Sequence, residues 1–256
     1  MKRAHSLLAL GLFLASCRLD PAMAEQVVLV RPRLAPTVQT VPVGSLQVEG
    51  GVALDPGERA RAQSFARVGL SSATEGYAGG DVYREDLDRD VRGTGDLQLG
   101  LRHRFLGDGR AELGLALQAE VKLPTSDSND GFGSGETDFH LTGIAEQLWG
   151  STRAALFAAG GFLGKASGSG TDFEGSLGGF LHRPIADRFS GSLETVYFDH
   201  HGLNRSSGRM GAALYWHAGT HSAWDVGITT GFGDQPEGTQ ILVGYTRNVG
   251  AFYVNR

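Results

Sequence analysis

Residues 110 to 123 read Arg110-Ala111-Glu112-Leu113-Gly114-Leu115-Ala116-Leu117-Gln118-Ala119-Glu120-Val121-Lys122-Leu123. From Leu113 onward every odd position is apolar, and the even positions are charged, polar or small. Side chains of an extended chain alternate between faces, so this is a β-strand with one apolar and one polar face. Just upstream, Leu97, Leu99, Leu101, His103 and Phe105 alternate with Asp96, Gln98, Gly100, Arg102 and Arg104. Toward the C-terminus, Met210, Ala212, Leu214 and Trp216 oppose Gly211, Ala213, Tyr215 and His217. Trp224, Val226, Ile228 and Phe232 likewise oppose Asp225, Gly227, Thr229 and Gly231.

Working outward, the period of two predicts about twelve strands, near 43–53, 62–70, 73–84, 94–106, 110–123, 136–148, 151–164, 172–182, 188–198, 206–217, 222–233 and 238–249. Most reach the 9 to 11 residues that a tilted strand needs to cross a bilayer. The intervening segments sort by parity. Those at 54–61, 85–93, 124–135, 165–171, 199–205 and 234–237 are mostly long, whereas those at 71–72, 107–109, 149–150, 183–187 and 218–221 are shorter. Transmembrane barrels have long loops on the outside and short periplasmic turns, with an even strand number and both termini inside. A soluble sandwich gives no reason for that sorting, and the polar faces carry too many charges to pack on a second sheet. Trp149, Trp216 and Trp224 fall at the short-turn ends and Phe173, Tyr197 and Phe232 near the long-loop ends, as two interfacial girdles require. The fold class expected is all-β: a transmembrane antiparallel β-barrel of about 12 strands occupying residues 43–256.

Composition agrees. Glycine contributes 39 of the 256 residues, and each one costs a helix about 1 kcal/mol relative to alanine. The formal charge is -5, which gives no basic face for nucleic acid, so that partner class drops out. A single cysteine, Cys17, excludes disulfide frameworks and multi-cysteine metal sites.

The N-terminus carries Lys2 and Arg3, an apolar stretch from Leu7, and Ala22-Met23-Ala24. That is the layout of a cleaved secretory signal peptide over 1–24, with an apolar run too short for a membrane helix. Leu14-Ala15-Ser16-Cys17 also resembles a lipobox, which would make Cys17 the acylated first residue. Residues 25–42, with Pro32, Pro36 and Pro42 and no period, read as an extended periplasmic lead-in.

Three further features resemble one family: Gly95-Asp96-Leu97-Gln98-Leu99-Gly100-Leu101-Arg102-His103-Arg104-Phe105, then Val121-Lys122-Leu123-Pro124-Thr125 followed by an Asp/Gly-rich loop through Gly135 and Asp138, and an ending around Gly231-Phe232-Gly233-Asp234 and Gly244-Tyr245. It is similar there to the outer-membrane transporter-like proteins named after the meta-pathway of phenol degradation. The resemblance implies a Gram-negative outer-membrane barrel passing small hydrophobic or aromatic compounds, and carries over no catalytic residue. Such barrels usually end on an aromatic that the assembly machinery reads, whereas this chain ends Phe252-Tyr253-Val254-Asn255-Arg256.

The sequence holds no G-x-S-x-G and no H-E-x-x-H. Asp199-His200-His201 could offer a metal pair, but neighbours in a strand point to opposite faces. His140 could serve a lipid hydrolase, although no spacing selects it. Asp127-Ser128-Asn129-Asp130-Gly131 departs from the calcium-loop spacing. No enzyme, cofactor or dedicated metal is therefore expected. The stronger constellation is Asp96, Gln98, Arg102 and Arg104 facing Glu112, Gln118, Glu120 and Lys122, all on the polar faces of two adjacent strands, where acid and base pair across the ladder. These are the candidate pore-lining residues, with an ion-pair network that plugs a narrow barrel as the competing role. The expected function is a channel or transporter for small solutes in the outer membrane, with lipid, lipopolysaccharide and the barrel assembly machinery as partners. The alternatives are a structural or assembly-related barrel without flux, and an outer-membrane lipid hydrolase.

Overall fold

The computed structural model describes residues 27–251 apart from 57, 110–111, 128–129, 166–169, 201–204 and 234–237. The segment expected to be a signal peptide, Cys17 and the terminal aromatics lie outside the described residues. The strands are β1 (Ser45–Asp55), β2 (Arg59–Ser71), β3 (Thr74–Asp86), β4 (Val91–Gly93), β5 (Leu97–Leu106), β6 (Gly114–Leu123), β7 (Asp138–Trp149), β8 (Thr152–Gly164), β9 (Thr171–Ala186), β10 (Phe189–His200), β11 (Arg205–His217), β12 (Ser222–Gly233) and β13 (Gln240–Ala251). Apart from β4 and β5, consecutive strands pair antiparallel. β1 bonds β13 from Ser45↔Ala251 to Leu54↔Ile241 and also bonds β2, so the sheet closes on itself. β4 and β5 both pair with β3, over Arg84–Asp86 and Thr74–Gly80 respectively, and form one interrupted wall strand. The barrel therefore has 12 strands around its circumference.

Closure matters because an open edge in lipid would leave backbone N–H and C=O groups without partners. The face pattern is inverted relative to a soluble protein. Leu156 is 71% exposed on the outside of β8, with Leu117, Leu141, Leu177 and Leu193 also exposed. Inside, Glu49, Glu75, Arg102 and Glu146 are each no more than 1% exposed. Such an inversion puts lipid outside and polar groups within. At one end Trp216 pairs with Trp224 in register, and Trp224 lies 4.7 Å from Tyr245 between ring centroids. Trp149 shares that end, beside the two-residue turn to β8. At the other end Phe162 and Phe173 meet edge-on at 5.8 Å. We call these the turn end and the loop end.

Several connections differ from the sequence expectation: that at 183–187 contracts to 187–188 as β9 runs on to Ala186, and that at 85–93 holds β4. The long gap at 54–61 contracts to residues 56–58, because β1 and β2 stay paired out to Asp55↔Arg59. The short gap at 107–109 grows to 107–113, because Gly107 and Gly109 adopt positive φ (46° and 71°) and turn the chain before β6 begins at Gly114. Residues 27–42 are a larger departure. Expected as a lead-in ahead of the barrel, they fold into it: Val38 and Val41 are fully buried and Thr37 is 2% exposed.

Candidate functional site: the lumen and its N-terminal segment

The wall supplies a continuous charged network. Arg67 on β2 donates through Nε to Glu49 Oε1 on β1 at 2.5 Å and through Nη1 to Glu75 Oε1 on β3 at 3.1 Å. Arg102 on β5 lies 3.3 Å from the same Glu75 oxygen. It also donates to Gln118 Oε1 on β6 at 2.7 and 3.0 Å. Strand alternation places all five inward at matching heights, with Arg102 opposite Gln118 in register. Buried charges of this kind persist only where each has partners, since an isolated ion in a low-dielectric interior is strongly disfavoured. Tyr77, inward on β3, lies against Gly100, where a Cβ would overlap its ring, and donates its hydroxyl to Glu120 Oε2 at 2.7 Å.

Residues 27–42 are seated against this wall by carboxylates from three separate strands. Glu194 Oε2 on β10 accepts from Leu34 N at 2.8 Å and Ala35 N at 3.0 Å. Glu146 Oε2 on β7 accepts from Thr37 Oγ1 at 2.5 Å and Val38 N at 3.1 Å. Glu75 Oε2 accepts from Val41 N at 2.8 Å. Gln47 completes the seat, exchanging hydrogen bonds with Val28 N and Val28 O, both at 2.8 Å. Arg102 Nη1 donates to Gln39 O at 3.0 Å. An extended segment cannot pair its own N–H groups, so the wall must accept them. Around it, Ala35 packs with Ala155 and Phe180, and Val38 with Ala116 and Ile144.

Glycine makes the room. A Cβ on Gly51 would overlap the Arg31 guanidinium, and one on Gly244 would fall 2.5 Å from Arg31 Nε. One on Gly114 would fall 2.8 Å from Val38 Cγ2. Arg31 reaches Asp225 on β12 at 3.8 Å. The seat occupies the turn-end half: Val27 N bonds Thr220 O in the β11–β12 turn, and Ser45 N returns to Pro42 O as β1 begins.

The loop end is covered differently. Phe132, in the 124–137 connection, is 8% exposed, and Arg84 on β3 donates to its carbonyl at 3.0 Å while lying 5.1 Å from its ring centroid. Beneath it Lys122 Nζ bridges Asp138 at 2.5 Å, Asp96 at 3.4 Å and Ser134 Oγ at 2.8 Å. Asp96 also accepts from Ser126 N and Oγ.

The eight residues singled out from sequence thus separate into groups. Arg102 and Gln118 join the turn-end network, Glu120 joins Tyr77, and Asp96, Gln98 and Lys122 line a pocket of about 270 Å³ under the 124–137 loop. Arg104 donates to Ser72 O at the turn-end rim. Glu112 is not brought together with the others: it is exposed in the 107–113 connection, ahead of β6. Sequence reading passed over Glu49, Arg67, Glu75, Glu146 and Glu194. They come from five different strands, so only the barrel's curvature gathers them. The signal available was a carboxylate flanked by small or apolar inward neighbours, as at Glu146 and Glu194.

His140 faces inward against Gly161, and His200 on β10 meets Glu174 on β9 at 2.7 Å. Among the described residues no three His, Cys, Asp or Glu side chains gather as a metal-holding group.

No family model matches the chain, and no curated protein matches it. Solved structures do. The COG4313 outer-membrane channel from Pseudomonas putida F1 superposes with a TM-score of 0.62 at 13% identity, covering 84% of this chain and 100% of that one. The NanC porin gives 0.60 at 9% identity, covering 79% and 98%. The KdgM porin, solved in complex with oligogalacturonate, gives 0.56 at 7% identity, covering 78% and 98%. At these identities the likeness is one of fold, that of porin-like outer-membrane barrels; the phenol meta-pathway family is not shown.

Proposed function

We propose that this protein is a passive channel of the Gram-negative outer membrane for small solutes, with residues 27–42 forming a seated constriction in the turn-end half of its lumen. The observation that carries the reading is the inverted face chemistry of a closed barrel: leucines outside, and a glycine-relieved lumen lined by charges inside. That arrangement suits a wet interior in lipid. The porin and channel folds it superposes on support the same reading. Inward Phe65 and Phe157 are only partly buried, and their rings favour solutes with an aromatic or hydrophobic body. The residues proposed to line the path are Asp96, Gln98, Arg102, Gln118, Glu120 and Lys122.

A second reading, a barrel without flux, is favoured by one observation, the fully buried Val38 and Val41 at the segment's seat. Planar-bilayer recordings on refolded protein separate the two. Discrete conductance steps from the whole chain, enlarged when residues 27–42 are deleted, are expected of the channel. Silence from both proteins would reject it.

A further inference from the structure

At the turn end the segment and the wall together enclose a cavity of about 690 Å³. Its described lining carries three arginines, Arg33, Arg153 and Arg188, against one carboxylate, Asp187. Arg33 comes from the segment, Arg153 from β8, and His182 and His217 from β9 and β11.

Not all of these cations are committed. Arg153 is spent on Glu146, and His217 Nε2 is held by Ser190 Oγ at 3.1 Å. Arg33 is clamped in place: Nη2 donates to Leu29 O, and the guanidinium stacks with its Cζ 3.8 Å from the centre of the Phe180 ring. Its Nε and Nη1 are nonetheless buried without an acceptor, and so is Nδ1 of His182. Glu194 is near enough for its charge to be felt by Arg33, but its Oε2 is taken by Leu34 N and Ala35 N, and neither Nε nor Nη1 of Arg33 has it as a hydrogen-bond partner. Buried donors without acceptors are costly, the more so when charged, and an acceptor carried in by a ligand would remove that cost. The remaining lining is apolar, with Val27, Leu29, Pro184 and Phe189.

We propose that this cavity binds a small organic monocarboxylate. The carboxylate would accept from Arg33 and His182, while the apolar body lies against Phe189, Pro184 and Leu29. A held, weakly hydrated guanidinium is suited to a carboxylate, because little side-chain entropy is lost on binding. The site stands at the mouth of the channel proposed above, but its occupancy is read without flux.

The test is calorimetry on the full-length protein in detergent near pH 7.5, with three probes: benzoate, benzyl alcohol as its neutral counterpart, and inorganic phosphate as an anion without an apolar body. Benzoate should bind at least tenfold more tightly than either of the others. Arg33→Gln should weaken benzoate at least tenfold and leave benzyl alcohol unchanged. Asp187→Asn, a change in an exposed turn that does not touch the seat, should tighten benzoate several-fold. Absence of benzoate binding, equal binding by Arg33→Gln and the whole protein, or phosphate binding as tight as benzoate would each overturn the site. Lost benzoate binding with conductance intact rejects only this site, whereas silent bilayers with benzoate binding intact reject only the channel.

Discussion

Glu146 on β7 reaches back 109 residues to Thr37, accepting its hydroxyl at 2.5 Å, with the next backbone N–H, Val38 N, on the same carboxylate oxygen. Arg153 pairs with the other oxygen. One side chain thus ties the segment to two wall strands.

That tie gives a first expectation. Val38→Asp puts a carboxylate beside Glu146 in a place with no exposure, and like charges there repel strongly. The segment should leave its seat while the barrel stays folded. Limited proteolysis should then cut within 27–42 in the variant, and an uncut segment in both proteins would contradict the seating described.

The wall network predicts an asymmetry between buried and exposed pairs. Arg67→Met leaves Glu49 without a cation and Glu75 with Arg102 alone, and should destabilise the barrel by about 3 to 5 kcal/mol. Arg92, which pairs with Glu85 at 2.8 Å but is 65% exposed, is different. Its replacement by Met should change stability by less than about 1 kcal/mol. Urea titrations in lipid vesicles compare the two, and equal losses would refute the ranking.

Face assignment makes a third prediction. Leu156→Arg, on the lipid face near the middle of β8, should cost about 2 to 4 kcal/mol of folding into bilayers. Ser176→Arg, inward on the adjoining β9, should cost far less and should shift ion preference in single-channel recordings. The same vesicle titration decides it, and reversed costs would exchange the two faces.

A pH dependence belongs to the loop end. Burial pushes the Asp96 carboxyl upward, but the hydrogen bonds from Ser126 and the charge of Lys122 outweigh it and hold the group below its ordinary value. A carboxyl lowered by folding contributes stability that is complete above its unfolded pKa, about 3.9, and is lost as pH falls through the folded value. Proteolysis of the 124–137 loop should therefore be slow at neutral pH and rise below about pH 4. Asp96→Asn should show the faster cutting already at pH 7, and a flat profile in the native protein would contradict the role given to Asp96.

Orientation can be read chemically. A cysteine at Glu136, in the long connection, should react with an impermeant maleimide on intact cells, while one at Asp187, in a two-residue turn, should not. The reverse pattern would turn the barrel over.

The strands were legible because a period of two survives in any one strand read alone, as in Leu113 to Leu123. The 124–137 loop and the Trp216–Trp224 end were legible for the same local reason. What sequence reading missed has a common physical cause. Glu75, Glu146 and Glu194 converge on one proline-bearing segment only after closure brings β3, β7 and β10 around a shared axis, and no spacing along the chain encodes that meeting. Glu112 went astray differently: alternation continues past the strand's true start, and it is Gly107 and Gly109, through their positive φ, that end the pairing.

The seat on Glu75, Glu146 and Glu194 also joins what the sequence keeps far apart. Those acceptors stand on β3, β7 and β10, and the barrel that holds them around one axis is completed by the pairing of β1 with β13, the most distant join in the sequence. The N-terminal segment is in that sense a keystone: its N–H groups find their acceptors on strands from all round the wall, and its burial is a property of the closed barrel.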